Sequence, residues 1–298
     1  MSTWVRLGES YIKCGRHIAG LKTLQHALEL DPTNWMAMYD IGDIHTQLGS
    51  FNEAIDAYEQ VARMTEDKET GVTAALAQAM LALGRQAAAG GFRARSRRAF
   101  HDSIELAGKV LQEGHKHRPW GWKLVADATF ELSTQESSIA EAEASAQVLQ
   151  PGLQLLVDND TDRRSAVEGL GHAANLLQSP VNLDYTLETA VFAFAYRAHL
   201  LKNEPRVASS ALYDLASALH AMAQRAANKS VKTSCMKGAI SSIRLALERD
   251  AGDERLWNAL AVICGDAGPE VAQHAFVVSL ELYAKVNDTI LSETAKTE

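Results

Sequence analysis

Histidine and cysteine are the residue types in this chain best suited to metal binding or covalent chemistry, so their spacing is the first test for an enzyme. The ten histidines are scattered, and the one cluster, His115 and His117 in "HKHRPW", has a spacing of two. Zinc ligands on one helix face need a spacing of four, so a solvated loop is the better interpretation. The stretch "GLGHAA" (169–174) imitates a dinucleotide fingerprint but follows no strand pattern.

Other reactive arrangements are also missing from the sequence. It contains no Walker A loop, no G-x-S-x-G and no H-E-x-x-H, and its carboxylates form no evident catalytic pair. The sequence therefore predicts no catalytic residue, no cofactor-binding residue, no cofactor and no metal ligand. We expect a protein that is not an enzyme.

The cysteines indicate a reducing compartment. Cys14, Cys235 and Cys264 are few, odd in number and contain no C-x-x-C pair. Cys264 falls where a repeat helix usually has tyrosine, which favours packing over reactivity. No signal peptide is visible, and apolar runs such as "AVFAFAY" (190–196) are far shorter than the ~20 residues of a membrane span. These features predict a soluble intracellular protein.

One segment is strongly basic although the chain has a formal charge of −8, which argues against nucleic-acid binding by the whole chain. The arginines Arg93, Arg95, Arg97 and Arg98 crowd the stretch "RARSRR", with Arg85, Lys109 and Lys123 near it. They could form a solvated helix face. They could also form a docking patch for an acidic partner or for RNA phosphates.

The helices that would position these residues follow a sequence repeat with a period of 34 residues. Gly8 recurs as Gly42, Gly15 as Gly49, and Leu24 as Tyr58. The first unit, "STWVRLGESYIKCGRHIAGLKTLQHALELDP", resembles the tetratricopeptide signature. Its matching positions are Trp4, Leu7, Gly8, Tyr11, Leu24, Ala27 and Pro32, followed in the second unit by Gly42, Ala54 and Tyr58.

Each matching residue type has a physical reason. Gly8 and Ala27 are small where two helices cross, and Trp4, Leu7, Tyr11 and Leu24 are expected to fill the space between helices. Gly15 suits a left-handed turn that ends the first helix. Pro32 stops the second helix.

Similar units return later in the chain, and we expect an all-α, right-handed superhelical solenoid with an irregular helical middle. The later framework positions are Trp122, Trp257, Leu260, Ala272 and Phe276. Helices are predicted over 72–89, 96–113, 212–226 and 235–250, with breaks at 90–91, 151–152, 158–162, 179–182 and 202–205. The expected organisation is two regular repeats (1–68), an extended third unit (69–119), divergent helical repeats with an insertion (120–206), two further repeats (207–283) and a polar tail (284–298). Since a repeat begins almost at Met1 without a polar cap, we expect a piece of a longer array.

Tetratricopeptide arrays bind partners in a groove lined by the first helix of each unit. Val5, Glu9, Tyr39 and Asp43 are the expected groove-facing residues of the first two units. The two acids would repel a carboxylate peptide, which argues against an adaptor for chaperone C-termini.

Two short stretches resemble a narrower family, the tetratricopeptide scaffold subunits of the superkiller complex. They are Trp122-Lys123-Leu124 and Ala272-Gln273-His274, supported by the order of regular and irregular units along residues 1–283. The resemblance implies a non-catalytic cytoplasmic scaffold, with a nuclear pool left open. It also implies a DExH-type RNA helicase and WD-repeat subunits as partners in exosome-linked 3′-to-5′ mRNA decay. The open alternatives are an unrelated adaptor in transport or chaperone work and the repeat arm of a larger enzyme.

Overall fold

The computed structural model of the chain describes residues 3–66, 68–111, 118–135, 185–265 and 268–294. The predicted loop at His115 and His117, the "GLGHAA" stretch and the predicted breaks between 151 and 182 lie outside these residues. The chain divides into two compact units, Met1–Gly152 and Leu153–Glu298.

Unit 1 contains seven described helices, each packed against the next. They are α1 (Thr3–Lys13), α2 (His17–Leu30), α3 (Trp35–Gln47), α4 (Phe51–Thr65), α5 (Thr70–Ala89), α6 (Arg93–Val110) and α7 (Pro119–Thr134). In addition, α3 contacts α1 and α7 contacts α5, so these alternate helices lie side by side. The prediction of stacked helix pairs is confirmed within this unit.

Glycine ends the first helix of each of the first three pairs. Gly15, Gly49 and Gly91 have φ of 70°, 74° and 77°, in the left-handed region that glycine adopts without strain. At each turn the next residue donates its backbone N–H across the turn; for example, the amide of Arg16 reaches the carbonyl of Tyr11 at 2.9 Å. This is the Schellman arrangement, which satisfies carbonyls at the end of a helix. The predicted left-handed turn at Gly15 is confirmed.

Close helix crossings explain why small residues recur in the repeat. A Cβ added to Gly8 would lie 2.6 Å from Leu24 Cδ2, and one added to Gly42 would lie 2.6 Å from Tyr58 Cε1. Gly84 has the same relation to Phe100 of the next pair, at 2.4 Å. All three partner side chains are buried, so α1, α3 and α5 each press against the following helix at this position.

Three side chains of the first repeat differ from the expectation. Trp4 and Leu7 are only partly covered, at 41% and 40% exposed, and the Trp4 ring meets the ring of His26 of α2 edge-on at 4.8 Å. Val5 does not face a groove; it is fully buried in a cluster with Leu24 and Ile44. The repeat period alone could not tell which of these side chains is buried, because burial depends on which neighbouring helix covers each face of α1.

Unit 2 contains five described helices, which again pack in sequence. They are α8 (Tyr185–Leu200), α9 (Pro205–Arg225), α10 (Lys229–Arg249), α11 (Glu254–Cys264) and α12 (Pro269–Thr294). The break predicted at 202–205 is confirmed between α8 and α9. Two predicted starts, 212 and 235, were too late, and α12 continues through Thr294 where a polar tail was expected from 284.

A buried ion pair joins the first two described helices of unit 2. Arg197 of α8 donates to Asp214 of α9 at 2.5 Å, and the two side chains are 8% and 19% exposed. Further along, Ser279 of α12 donates to the carbonyl of Glu254 at 3.0 Å, which ties α12 to α11.

The described residues are all α-helical or in turns, which confirms the all-α prediction for that part of the chain. None of the described helices is both long enough and apolar enough to span a membrane.

Candidate functional site

A groove of about 720 Å³ runs along unit 1 and is the candidate functional site. Its walls come from α3, α5 and α7, which are alternate helices of unit 1, with Tyr58 of α4 reaching in from behind. These helices lie side by side because each pair folds back through a short turn and stacks on the next. The repeat thus places equivalent faces of α3, α5 and α7 along one surface.

One position of the repeat supplies a charged residue from each of these helices. It is the residue after the small one at the helix crossing: Asp43 follows Gly42, Arg85 follows Gly84 and Asp127 follows Ala126. All three line the groove. Glu9 occupies the same position on α1. The prediction that Asp43 faces the groove is confirmed, and the same rule would have identified Arg85 and Asp127 from the sequence.

At the α3 end of the groove, Asp43 is held by a hydrogen bond from α4. Tyr58 Oη donates to Asp43 Oδ1 at 2.6 Å and lies 3.3 Å from Thr46 Oγ1. Burial raises the pKa of the Asp43 carboxyl, and the Tyr58 bond opposes that shift. Burial also raises the pKa of Tyr58, with Asp43 adding to it, so the phenol stays a donor. Tyr39 lies beside this pair, with its ring 5.4 Å from that of Tyr58.

Asp40, one residue after Tyr39 on α3, is a second half-buried carboxyl near Asp43, although it does not line the groove. Burial, together with the negative charges of Glu9 and Asp43, raises the pKa of Asp40 to about 6. Its Oδ2 atom is shielded from solvent and has no hydrogen-bond partner among the described residues. Of the three acids, Glu9, Asp40 and Asp43, none forms a salt bridge within the described part of the chain.

The α7 end of the groove is different because its charges compensate one another. Arg85 Nε lies 2.7 Å from Glu131 Oε1, and Arg85 Nη2 lies 3.7 Å from Asp127 Oδ2. Lys123 Nζ lies 3.1 Å from Asp127 Oδ1. Two cations therefore face two carboxylates. Arg85 and Lys123, which the sequence placed within a basic segment, are engaged with the acids of α7.

The floor between the two ends consists mainly of small side chains. Gly71, Ala74, Ala75 and Ala82 of α5 line it, and Trp120 at the start of α7 stands at its edge, 38% exposed. Gln78 and Leu81 of α5 also line the groove. The small side chains leave room for those of a bound segment, and an exposed aromatic ring is a common anchor in protein interfaces.

The predicted basic docking patch is divided in the structure. Arg93 donates to the carbonyl of Gln135 at the end of α7, whereas Arg95 donates to Asn52 Oδ1 of α4 at 2.6 Å. Helical spacing places Arg97 near Arg93 and Arg98 near Arg95, so the four arginines form two pairs on different faces of α6. Arg93, Arg95 and Arg98 are exposed and Arg97 is half-buried. A docking role for them stays a prediction.

The remaining framework residues lie in helix packing and outside the groove. Ala27, Ala54, Trp122, Leu260 and Ala272 are buried, Tyr11 and Trp257 are half-buried, and Pro32 is exposed in the turn between α2 and α3. Trp257 Nε1 donates to the carbonyl of Ala251 at 2.9 Å. Phe276, a predicted framework position, is 43% exposed on α12.

Reactive side chains do not gather elsewhere in the described structure. No group of three or more His, Cys, Asp or Glu side chains among the described residues is placed to hold a metal ion. Cys235 and Cys264 are buried, and burial raises the pKa of both thiols, that of Cys235 to about 11. Both belong to helix packing.

Comparison with known proteins agrees with the repeat geometry. Residues 1–67 match the family model described as tetratricopeptide repeat. This match covers α1 to α4.

More specific relatives match over longer stretches. Tetratricopeptide repeat protein 37 of Xenopus laevis is 25% identical over 291 residues, which are 93% of this chain and 16% of that protein. Superkiller protein 3 of Saccharomyces cerevisiae is 22% identical over 300 residues, covering 97% of this chain and 20% of that protein. Superkiller protein 3 of Schizosaccharomyces pombe is 28% identical over 127 residues, covering 43% and 9%. The chain thus spans a fifth or less of each of these relatives.

Proposed function

We propose that this chain is a non-catalytic interaction scaffold that corresponds to part of a superkiller-type scaffold subunit. The observation that carries the proposal is the similarity to Superkiller protein 3 of Saccharomyces cerevisiae, which extends over 97% of this chain. It therefore includes unit 2, which lies outside the residues matched by the repeat family model. A likeness due only to the tetratricopeptide framework would be concentrated in residues 1–67, the part that matches the repeat family.

In this role the chain holds other proteins and carries out no reaction itself. Its proposed partners are a DExH-type RNA helicase and WD-repeat subunits that deliver RNA to the cytoplasmic exosome for 3′-to-5′ mRNA decay. The close helix crossings at buried glycines stabilise the stacked helices, and the exposed groove of unit 1 offers a contact surface. Affinity in such an interface depends on a few anchors placed by a rigid framework.

The experiment that tests the proposal is co-purification from cells of the source organism, with a tag at the native locus. We expect an RNA helicase and a WD-repeat protein to be recovered together in fixed proportion, identified by mass spectrometry. Two results from a soluble, folded bait without the helicase would overturn the proposal. One is the recovery of chaperones or motor proteins, and the other is a catalytic domain in the same polypeptide as this chain. Those results would instead support the adaptor or the enzyme-arm alternative.

A matched pair of variants asks whether the groove contributes. Ala75→Arg places a long cation on the groove floor, whereas Ala88→Arg makes the same change at an exposed position of the same helix, outside the groove. If the groove holds a partner, Ala75→Arg reduces recovery of one partner and Ala88→Arg does not. Equal recovery with both variants would assign partner binding to other surfaces.

A further inference from the structure

Helix α12 has an exposed apolar face beside the face that packs on α11. Its large side chains are Phe276, Val277, Leu280 and Tyr283. Their spacing places them along one side of the helix, and Phe276 and Leu280 are 43% and 67% exposed. Among the described helices, only α11 packs extensively against α12. A contiguous apolar face that is open to solvent indicates an interaction surface.

The equivalent face of other helices in this chain is covered by the helix that follows. Three helices have a side chain at the repeat position of Phe276: Leu24 of α2, Tyr58 of α4 and Ile243 of α10. All three side chains are buried, and these helices pack on α3, α5 and α11 respectively. The exposed face of α12 is therefore one half of an interface that the chain forms repeatedly within itself.

Helix α1 exposes the other half of such an interface. Leu7 is at the repeat position of Ile41, which is buried in the cluster that joins α3 to Leu24 of α2. Trp4 is at the position of Met38, which packs against the same cluster. Leu7 and Trp4 are instead partly exposed, because α2 and α3, the described helices that pack on α1, leave this side open.

The length of α12 favours coverage by a helix from another molecule. Helix α4 ends at Thr65, the repeat position of Tyr283, and a short turn leads into α5 at Thr70. Helix α12 instead continues to Thr294, roughly 16 Å further along its axis. A following helix joined by the usual short turn would therefore start well beyond Phe276. A helix from a second molecule has no such restriction.

The apolar face of α12 is also wider than its internal equivalents. Val277 and Tyr283 are apolar where α4 has Glu59 and Thr65. Consecutive helices joined by a short turn run in opposite directions, so an α1 helix packed in the same way would place Trp4 near Tyr283. Two aromatic rings then add to the contact at this point.

We propose that α12 of one molecule packs against α1 of a second copy of this chain, in the arrangement that α2 has on α3. Phe276 and Leu280 then contact Leu7 of the second copy. The contact is head to tail, so each molecule in a dimer keeps one open face and larger oligomers form as the concentration rises. This proposal is independent of the proposed scaffold role.

Sedimentation equilibrium of the full chain from about 1 to about 200 μM tests the proposal. We expect the average mass to rise with concentration, because a contact made by one pair of helices is small and gives weak association. Leu280→Glu and Leu7→Glu each place a carboxylate in one half of the contact and should weaken association at least about tenfold. Leu245→Glu, at an exposed position of α10, is the matched control and should associate as the wild-type chain does.

A mixture of the two interface variants tests the head-to-tail arrangement. Leu7→Glu retains the α12 face and Leu280→Glu retains the α1 face, so an equal mixture should form a dimer and nothing larger. Both leucines are exposed in the single chain, and unchanged circular dichroism of all three variants establishes that they remain folded.

Three results would overturn the proposal. They are a wild-type chain that stays monomeric over the whole concentration range, an interface variant that associates as strongly as the wild-type chain, and a mixture that associates no more than its components do. Loss of association with Leu280→Glu alone would instead indicate that two α12 helices pack on each other. None of these results bears on co-purification with a helicase, so the two proposals fail separately.

Discussion

Among the described glycines, Gly84 has the least space for a side chain, and this makes the crossing of α5 and α6 a quantitative test of the packing. A Cβ on Gly84 would lie 2.4 Å from Phe100 Cε1 and 2.6 Å from Phe100 Cδ1. Carbon atoms in contact are normally about 3.5–4.0 Å apart, so alanine would overlap the ring by roughly 1 Å. Phe100 is fully buried. Its ring has no free space to enter, and the two helices must move apart.

The expected cost follows from two opposing effects. Overpacking of this kind destabilises by about 1–3 kcal/mol, whereas replacing glycine by alanine within a helix stabilises by at most about 1 kcal/mol. Gly84→Ala should therefore lower the free energy of unfolding by about 0–3 kcal/mol. Gly71→Ala, in the first turn of the same helix, meets no atom within 4 Å and should be neutral or stabilising.

Urea unfolding followed by far-ultraviolet circular dichroism measures both variants. We expect a lower midpoint for Gly84→Ala than for Gly71→Ala, and a midpoint that is equal or higher would refute the packing argument. A double-mutant cycle strengthens the test: Phe100→Leu shortens the side chain that clashes, so Gly84→Ala should cost less in that background. An unchanged cost would show that the ring is not the obstacle.

Three further predictions concern charge and burial. In the folded chain the pKa of Asp40 is raised from 3.8 to about 6, which means that ionised Asp40 destabilises the folded state. This loss of stability is complete above pH 6 and absent well below pH 3.8. Asp40→Asn should therefore raise the urea midpoint more at pH 8 than at pH 5, and an equal effect at both values would contradict this. Arg197→Met removes the cation that pairs with Asp214 in a buried site and should lower the free energy of unfolding by about 3–5 kcal/mol. The double variant Arg197→Met/Asp214→Leu should recover part of that loss, and calorimetry of both variants measures the difference. A thiol reagent should modify Cys14 rapidly in the native chain and the other two cysteines only after unfolding; rapid reaction of all three would contradict their burial.

Much of the local structure could be predicted from the sequence. The period of 34, the glycines at crossings and the glycine turns depend on short-range geometry, because a helix exposes every third or fourth residue and only glycine adopts positive φ freely. Asp43 was correctly assigned to the groove for the same reason. Helix ends were less certain: α12 extends past 283 because nothing in its composition breaks a helix there.

Residue type and period could not distinguish Val5, which is buried, from Trp4 and Leu7, which are exposed on the same helix. Burial depends on which neighbouring helix covers a face, and that contact joins residues far apart in the chain. The basic segment shows the same limit. Arg85 belongs to the groove and Arg93 reaches Gln135, so residues close in sequence serve different surfaces.

The sequence by itself predicted the helical character of the described residues, the two repeats over residues 1–68 and the positions of small residues at helix crossings. Only the tertiary structure decided that α3, α5 and α7 share a groove and that Arg85 and Lys123 compensate Asp127 and Glu131 there. It also decided that Asp40 and Asp43 form no salt bridge with any other described residue. The physical reason is the range of the interactions. Turns and helix crossings depend on backbone geometry within one repeat, whereas electrostatic compensation depends on which side chains from separate repeats come within a few ångströms of one another.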